Sequence, residues 1–219
     1  MEKPKLVVIG TGGTIAASAT ATGDKPTIGI TTLLHQIPYI RENFESDPVQ
    51  LFQKDSTLID HKDWARIARE AYRASSKGNK VLILHGTDTL AYTSSALSFA
   101  IQNPQTSIVL TGSMRMPEDP ETDVKKNLLD AAIFLSEQTK GVFVVFNGKV
   151  MAASRITKVS STDINAHERL SIVDVEHGAQ PLIDDKTGSV LAVNGEIYNH
   201  KLLKKALTKE HIWTFYLII

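Results

Sequence analysis

The amino-acid sequence predicts an α/β domain, a parallel sheet with helices on both faces, and three observations predict it. Short apolar runs alternate with helical patterns as far as Phe146, the pattern of strands joined by crossover helices. The first run ends in Gly10-Thr11-Gly12-Gly13-Thr14-Ile15-Ala16. Glycines there let the chain turn sharply and bring its backbone close to a ligand. A second run, residues 80–84, ends in His85-Gly86-Thr87-Asp88-Thr89 and leads into another helical pattern. Two strand-to-helix turns carrying threonines would thus lie side by side at one sheet edge, where ligands bind in open α/β sheets.

The chain has 219 residues, enough for one good core or for a domain with a small appendage. It carries 24 Lys plus Arg against 24 Asp plus Glu. That balance argues against nucleic-acid or membrane binding driven by charge. There is no cysteine, which excludes disulfides, cysteine zinc sites and cysteine nucleophiles. The opening residues lead into only four strongly apolar residues before Gly10. No secretion signal or membrane span fits, so the expected location is cytoplasmic. No internal repeat is visible.

Residues 6–9 read as a buried strand, and residues 17–29, small and polar, as a mobile loop. Residues 30–37 suggest a short helix ended by Pro38. Residues 49–53 are strand-like and lead to Asp55-Ser56-Thr57, a helix cap or turn by residue type. A helix over 61–76 starts from Asp60, with Trp64, Ile67, Ala68, Ala71 and Tyr72 as its core stripe. After the strand 80–84 come a helix to residue 101, a loop at Asn103-Pro104 and a strand over 107–110. Thr111 to Met114 form another strand-end turn, and residues 115–122 a polar loop. A helix follows over 123–137, its Asp123 and Asn127 read as structural. Residues 141–146 form a strong β run, Asn147-Gly148 a hairpin turn, and 149–153 the return strand.

The chemistry centres on the first glycine turn, which has four readings. A dinucleotide fingerprint needs a third glycine where Ile15 stands, and an acidic residue further on is lacking. A phosphate loop needs Gly-Lys-Ser/Thr, which is absent. The turn can also be plain punctuation. In the fourth reading Thr14 is a nucleophile. A threonine hydroxyl is weak until something handles its proton, and a Thr–Lys–carboxylate chain can do so. Thr87, Asp88 and Lys158 are the candidates, with backbone N–H groups of the glycine turn to stabilise an oxyanion. Taken alone, His85 reads as a structural histidine and Lys158 as a solvated lysine.

Gly-Gly-Thr-Ile-Ala, Asp55-Ser56-Thr57, His-Gly-Thr-Asp-Thr, Leu110-Thr111-Gly112-Ser113-Met114 and Arg155-Ile156-Thr157-Lys158 occur in this order. Over residues 1 to about 165 the chain resembles the amino-terminal domain of the bacterial-type L-asparaginases, especially the cytoplasmic type. The resemblance implies a flavodoxin-like three-layer fold and hydrolysis of the side-chain amide of L-asparagine, with L-glutamine as the alternative amide. It implies no metal and no organic cofactor. Thr14 would attack the amide carbon. Thr87, Lys158 and Asp88 would handle the proton and position water. Ser56 and Asp88 would grip the substrate's carboxylate and amino groups, with Asp55, Thr57, Gly86 and the backbone at Ser113 beside them. The family's lid tyrosine has no counterpart in residues 17–29, the nearest tyrosine being Tyr39.

From about residue 166 the chain instead resembles part of the glutamine-hydrolysing domain of asparagine synthetase. The likeness rests on His167-Glu168-Arg169-Leu170-Ser171-Ile172-Val173-Asp174, Gly178-Ala179-Gln180-Pro181-Leu182 and residues 190–200. It would give Arg169 a carboxylate contact, and Asn194, Gly195 and Glu196 an oxyanion hole and amino-group contact. That family's nucleophile is an amino-terminal cysteine, which this chain lacks, so residues 166–219 are expected to be a non-catalytic remnant of a gene fusion. They would form a hairpin from 170–175 and 190–193, a helix over 196–207 and an apolar tail over 212–219. Asparaginases carry a second domain that builds the dimer and completes the site. The chain on its own is therefore expected to be weak or inactive, with a homo-oligomer left open. The competing functions are an amino-acid-binding module, a fusion relic and a glutamine amidotransferase fragment.

Overall fold

The computed structural model describes residues 3–18, 25–26, 29–169, 182–183 and 190–191. The chain opens with β1 (Lys5–Gly12), buried from Leu6 onward. It outruns the predicted 6–9 because the strand continues into the glycine turn itself. One turn of 3-10 helix, Thr14–Ala16, follows. The segment expected to be a loop holds a short antiparallel ribbon, β2 (Ala17–Ser18) with β3 (Lys25–Pro26).

Next come α1 (Ile30–His35) and α2 (Pro38–Asn43). The first helix ends just before Pro38, close to the expected stop, and Pro38 also begins the second. A proline in the first helical turn gives up no intrahelical bond, and its fixed φ suits the start. β4 (Glu45–Lys54) is twice the predicted length and runs through Pro48. It pairs only with β1, as the edge of the main sheet, the place where a strand tolerates a missing N–H.

Asp60 caps α3 (His61–Ser76) in a reciprocal box with Asp63, which satisfies otherwise unpaired N–H groups at the helix start. Ile67, Ala71 and Ala74 form its buried face. Tyr72 was expected in that stripe but is 55% exposed, because it lies one position, about 100°, round from Ala71. The elements β5 (Lys80–Leu84), α4 (Leu90–Ala100), β6 (Ser107–Thr111), α5 (Val124–Ser136), β7 (Gly141–Phe146) and β8 (Lys149–Ala152) follow close to expectation. Asn147 and Gly148 have φ of 45° and 77°, as a tight hairpin requires. β9 (Ile156–Lys158) then pairs antiparallel with β10 (His167–Arg169).

The main sheet runs β4-β1-β5-β6-β7-β8, parallel except for β8. Alternation along β1 divides the core. Leu6 and Val8 pack with residues of α1, α2 and α5, whereas Val7 and Ile9 pack with residues of α3 and α4. The result is three layers, helices over both faces of the sheet. The strand order reverses at β1, between β4 and β5, and the crevice at the carboxyl ends of such strands is where ligands bind.

The chain divides into two units, Met1–Arg169 and Leu170–Ile219. Ala166 and His167 are buried within the first. In the second, β11 (Leu182–Ile183) pairs with β12 (Val190–Leu191). Residues 190–191, expected in a hairpin with 170–175, pair with 182–183. The expected strand 170–175, helix 196–207, tail 212–219, and Asn194, Gly195 and Glu196 lie outside the described residues. Among the described residues no helix is long and apolar enough to cross a membrane.

Candidate active site

Four strand ends meet backbone to backbone at one end of the sheet. Gly12 has φ +102°, and a Cβ there would stand 2.5 Å from the Lys54 carbonyl oxygen. The Gly13 N–H donates to that same oxygen at 3.0 Å. A Cβ on Gly13, at φ +82°, would overlap Gly86 Cα. One on Gly86 would meet Ser56 Cβ at 2.7 Å, and one on Gly112 would overlap the His85 carbonyl. Glycine is needed at Gly12 and Gly13 for both the left-handed conformation and the close approach. Thr14, half-buried, is thereby carried to the turn that bears Thr87.

Side-chain hydroxyls knit these ends together. Thr11 donates to the Leu84 carbonyl at 2.9 Å and Thr111 to the Val145 carbonyl at 2.7 Å. Thr89 donates to the Ser56 carbonyl at 2.7 Å. Asp55 accepts from the Thr57 N–H and hydroxyl at 2.8 and 2.6 Å, which leaves Ser56 buried against Gly86. Ser113 is buried and donates to the Arg115 carbonyl at 2.8 Å. Asp123 accepts from the backbone N–H groups of Met114 and Arg115. Asn127 donates to the Gly112 carbonyl and accepts from the Asn147 N–H, so both residues brace the turn after β6.

The polar centre is Lys158. Its ammonium donates to Thr87 Oγ1 at 3.1 Å and to Asp88 Oδ1 at 2.6 Å. The lysine side chain is 16% exposed, that of Asp88 54%. Lys158 lies about seventy positions in sequence from the other two, yet the three make one continuous chain of hydroxyl, ammonium and carboxylate.

Two buried histidines back the Thr87 turn. His85 Nδ1–H donates to the Gly86 carbonyl at 2.6 Å. His167 places Nε2 3.2 Å from the Thr87 carbonyl, and its ring lies tilted against Phe146 with the ring centres 4.7 Å apart. Burial holds both imidazoles well below the ordinary histidine range, at about 4. Both are therefore neutral near pH 7, and each keeps one ring nitrogen without a partner.

The structure brings Thr87, Asp88 and Lys158 into contact and packs Gly86 on Ser56 and on Gly13, the residue before Thr14. Tyr39 is elsewhere: its hydroxyl pairs with Ser136 at 3.2 Å, at the end of α5 remote from this turn. The sequence reading missed His167 as part of the site. Its signal was faint, since only the pairing of β10 with β9 brings it there. Among the described residues no group of three or more His, Asp or Glu is placed to hold a metal ion.

Comparison with known proteins matches residues 5–179 to the family described as Asparaginase, N-terminal. Residues 153–215 match a glutamine amidotransferase domain, so the two matches overlap. An L-asparaginase of Thermococcus kodakarensis is 40% identical over 174 residues, covering 79% of this chain and 53% of that protein. A glutamyl-tRNA(Gln) amidotransferase subunit of Pyrococcus furiosus is 36% identical, covering 72% of this chain and 38% of that protein. The chain thus spans about half, or less, of the length of these curated relatives. Among solved structures, the thermostable L-asparaginase from T. kodakarensis superposes with a TM-score of 0.71 at 37% identity, covering 88% of this chain and 57% of that one. A probable cytoplasmic L-asparaginase from Campylobacter jejuni superposes with a TM-score of 0.70 at 30% identity, covering 76% of this chain and 53% of that one.

Proposed function

This chain belongs to the asparaginase family, and on that premise we propose that it is an amidohydrolase acting on the side-chain amide of L-asparagine, releasing L-aspartate and ammonia. The observation that carries the proposal is the Lys158 ammonium shared between Thr87 Oγ1 and Asp88 Oδ1. An ammonium donating to a hydroxyl oxygen polarises that hydroxyl and leaves its own proton free to point elsewhere. Thr87 is then a proton relay, Lys158 its polariser and Asp88 the anchor of Lys158.

In the reaction, Thr14 Oγ1 attacks the amide carbon, and N–H groups of the glycine turn face the developing oxyanion. Collapse breaks the C–N bond. The Thr14 proton leaves on nitrogen as part of ammonia, passed through Thr87. Water then attacks the Thr14 ester and gives one proton back through Thr87, which restores the Thr14 hydroxyl and frees aspartate. Ser56, with Asp55 and Thr57 beside it, holds the substrate carboxylate. Asp88 faces its amino group, and Gly86 and the Ser113 backbone line the amide end.

We assign the chain to the cytoplasm, by its likeness to a protein so described. Residues 170–219, the second unit, are read as an appendage without amidase chemistry of its own, since glutamine hydrolysis of the matched type needs a cysteine and these 219 residues contain none. The test is ammonia release from L-asparagine, with L-glutamine in parallel, by the purified chain and by Thr14→Ala and Thr87→Val. Release abolished by both substitutions supports the two-threonine reading. Binding of L-asparagine in a calorimeter without release refutes the enzyme and leaves an amino-acid-binding module.

A further inference from the structure

We propose that His167 is a positioning residue for this chemistry, holding Thr87 by its carbonyl and Lys158 through the paired strand so that ammonium and hydroxyl meet in one geometry. The proposal rests on the amidohydrolase reading above and adds a residue to it.

His167 stands directly opposite Lys158 in the β9–β10 pair. The Val159 N–H donates to the Ala166 carbonyl at 2.8 Å just beyond that pair. The same ring reaches forward to the Thr87 carbonyl at 3.2 Å. A carbonyl only accepts, so the contact needs the Nε2–H tautomer of a neutral ring. One side chain therefore ties together the two backbones whose side chains make the Lys158–Thr87 contact at 3.1 Å.

A packing role alone does not explain the residue. The ring is 1% exposed and lies against Phe146, a slot that an apolar ring would fill. Histidine there leaves Nδ1 buried without a partner, which costs stability. The charged and titratable groups acting on the ring are Lys158, Asp88 and His85. Burial opposes a charge on the ring most, and the Lys158 ammonium adds to it, outweighing the opposite pull of the Thr87 carbonyl and Asp88, so the ring stays neutral and does not repel the ammonium it positions.

The test compares the full chain with His167→Phe, which fills the slot without a donor, and His167→Gln, whose amide N–H can replace Nε2–H. Displacement of reacting groups by a fraction of an ångström to 1 Å costs about tenfold to a hundredfold in rate. His167→Phe is expected to lose about tenfold or more in kcat for L-asparagine with KM within about twofold, and His167→Gln to recover most of that loss. Unchanged kcat in His167→Phe, or equal losses in both variants, overturns the proposal. Ring 15N shifts and the Thr87 carbonyl 13C shift give a readout independent of turnover. An Nε2–H tautomer, with a Thr87 carbonyl signal that returns toward its original position in His167→Gln, supports the clasp even if the unaltered chain releases no ammonia, in which case only the amidohydrolase reading falls. An Nδ1–H tautomer overturns the proposal whether or not there is turnover, and this reading stands even if His167→Phe does not fold.

Discussion

Replacing Lys158 by Met separates the catalytic worth of that residue from its structural worth. The methionine keeps most of the side-chain length and volume but removes the ammonium that bridges Thr87 Oγ1 and Asp88 Oδ1. The ion pair is short, but Asp88 is 54% exposed, and half-solvated pairs contribute only about 0.2–1 kcal/mol. For a chain of this size that corresponds to a fall in Tm of about 2–4 °C at most. The effect on rate is of another order. Proton transfer by a positioned group contributes about a hundredfold to ten-thousandfold, so ammonia release should drop by at least about a hundredfold. Calorimetric or circular-dichroism melting and a coupled ammonia assay on the same preparation read both. Activity within a few-fold of the unaltered chain would refute the relay. A Tm drop of about 10 °C or more would refute the energetic argument, since it would mean that the pair holds the fold.

Three further outcomes follow from the same geometry. Gly13→Ala puts a Cβ on Gly86 at a positive φ, whereas Gly78→Ala, at φ +81°, meets nothing within 4 Å; denaturant unfolding should show a loss of about 1 kcal/mol for Gly78→Ala and at least about twice that for Gly13→Ala. Asn127→Ala leaves the Gly112 carbonyl and the Asn147 N–H without their partner, and should cost about 2–4 kcal/mol in the same measurement. His85 and His167 have folded pKa values of about 4, below the unfolded value near 6.5. The unfolded chain therefore binds more protons between those values, and stability should fall as pH drops from about 6.5 toward 4, by up to about 1.4 kcal/mol per pH unit per histidine; in His167→Phe that slope should be shallower by one histidine's share.

Local pattern set much of this fold. Strands 80–84 and 141–146 and the helix from His61 to Ser76 have the bounds their periodicity and caps imply, because each satisfies its own hydrogen bonds and buries one continuous apolar face. The glycines of the first turn and the order of the threonine-bearing motifs were likewise written in the chain, as was the family that they mark. The features that escaped depend on what lies across space. β4 reads as a half-length strand because Pro48 and its charged neighbours suit only an edge, and edge position is a property of the sheet. Pro38 reads only as a stop until the helix it begins packs under the sheet. Tyr39 and Tyr72 differ in exposure through their neighbours alone. Lys158 is an ordinary lysine by pattern and meets Thr87 and Asp88 only when β9 folds back to them. His167 follows the same rule, since burial, tautomer and contact with Thr87 exist only once β10 pairs with β9. Sequence alone determined the elements and the chemical groups this chain carries. Tertiary structure decided which of those groups meet, because a contact across some seventy or eighty residues is made by the packed sheet and not by any neighbour in the chain.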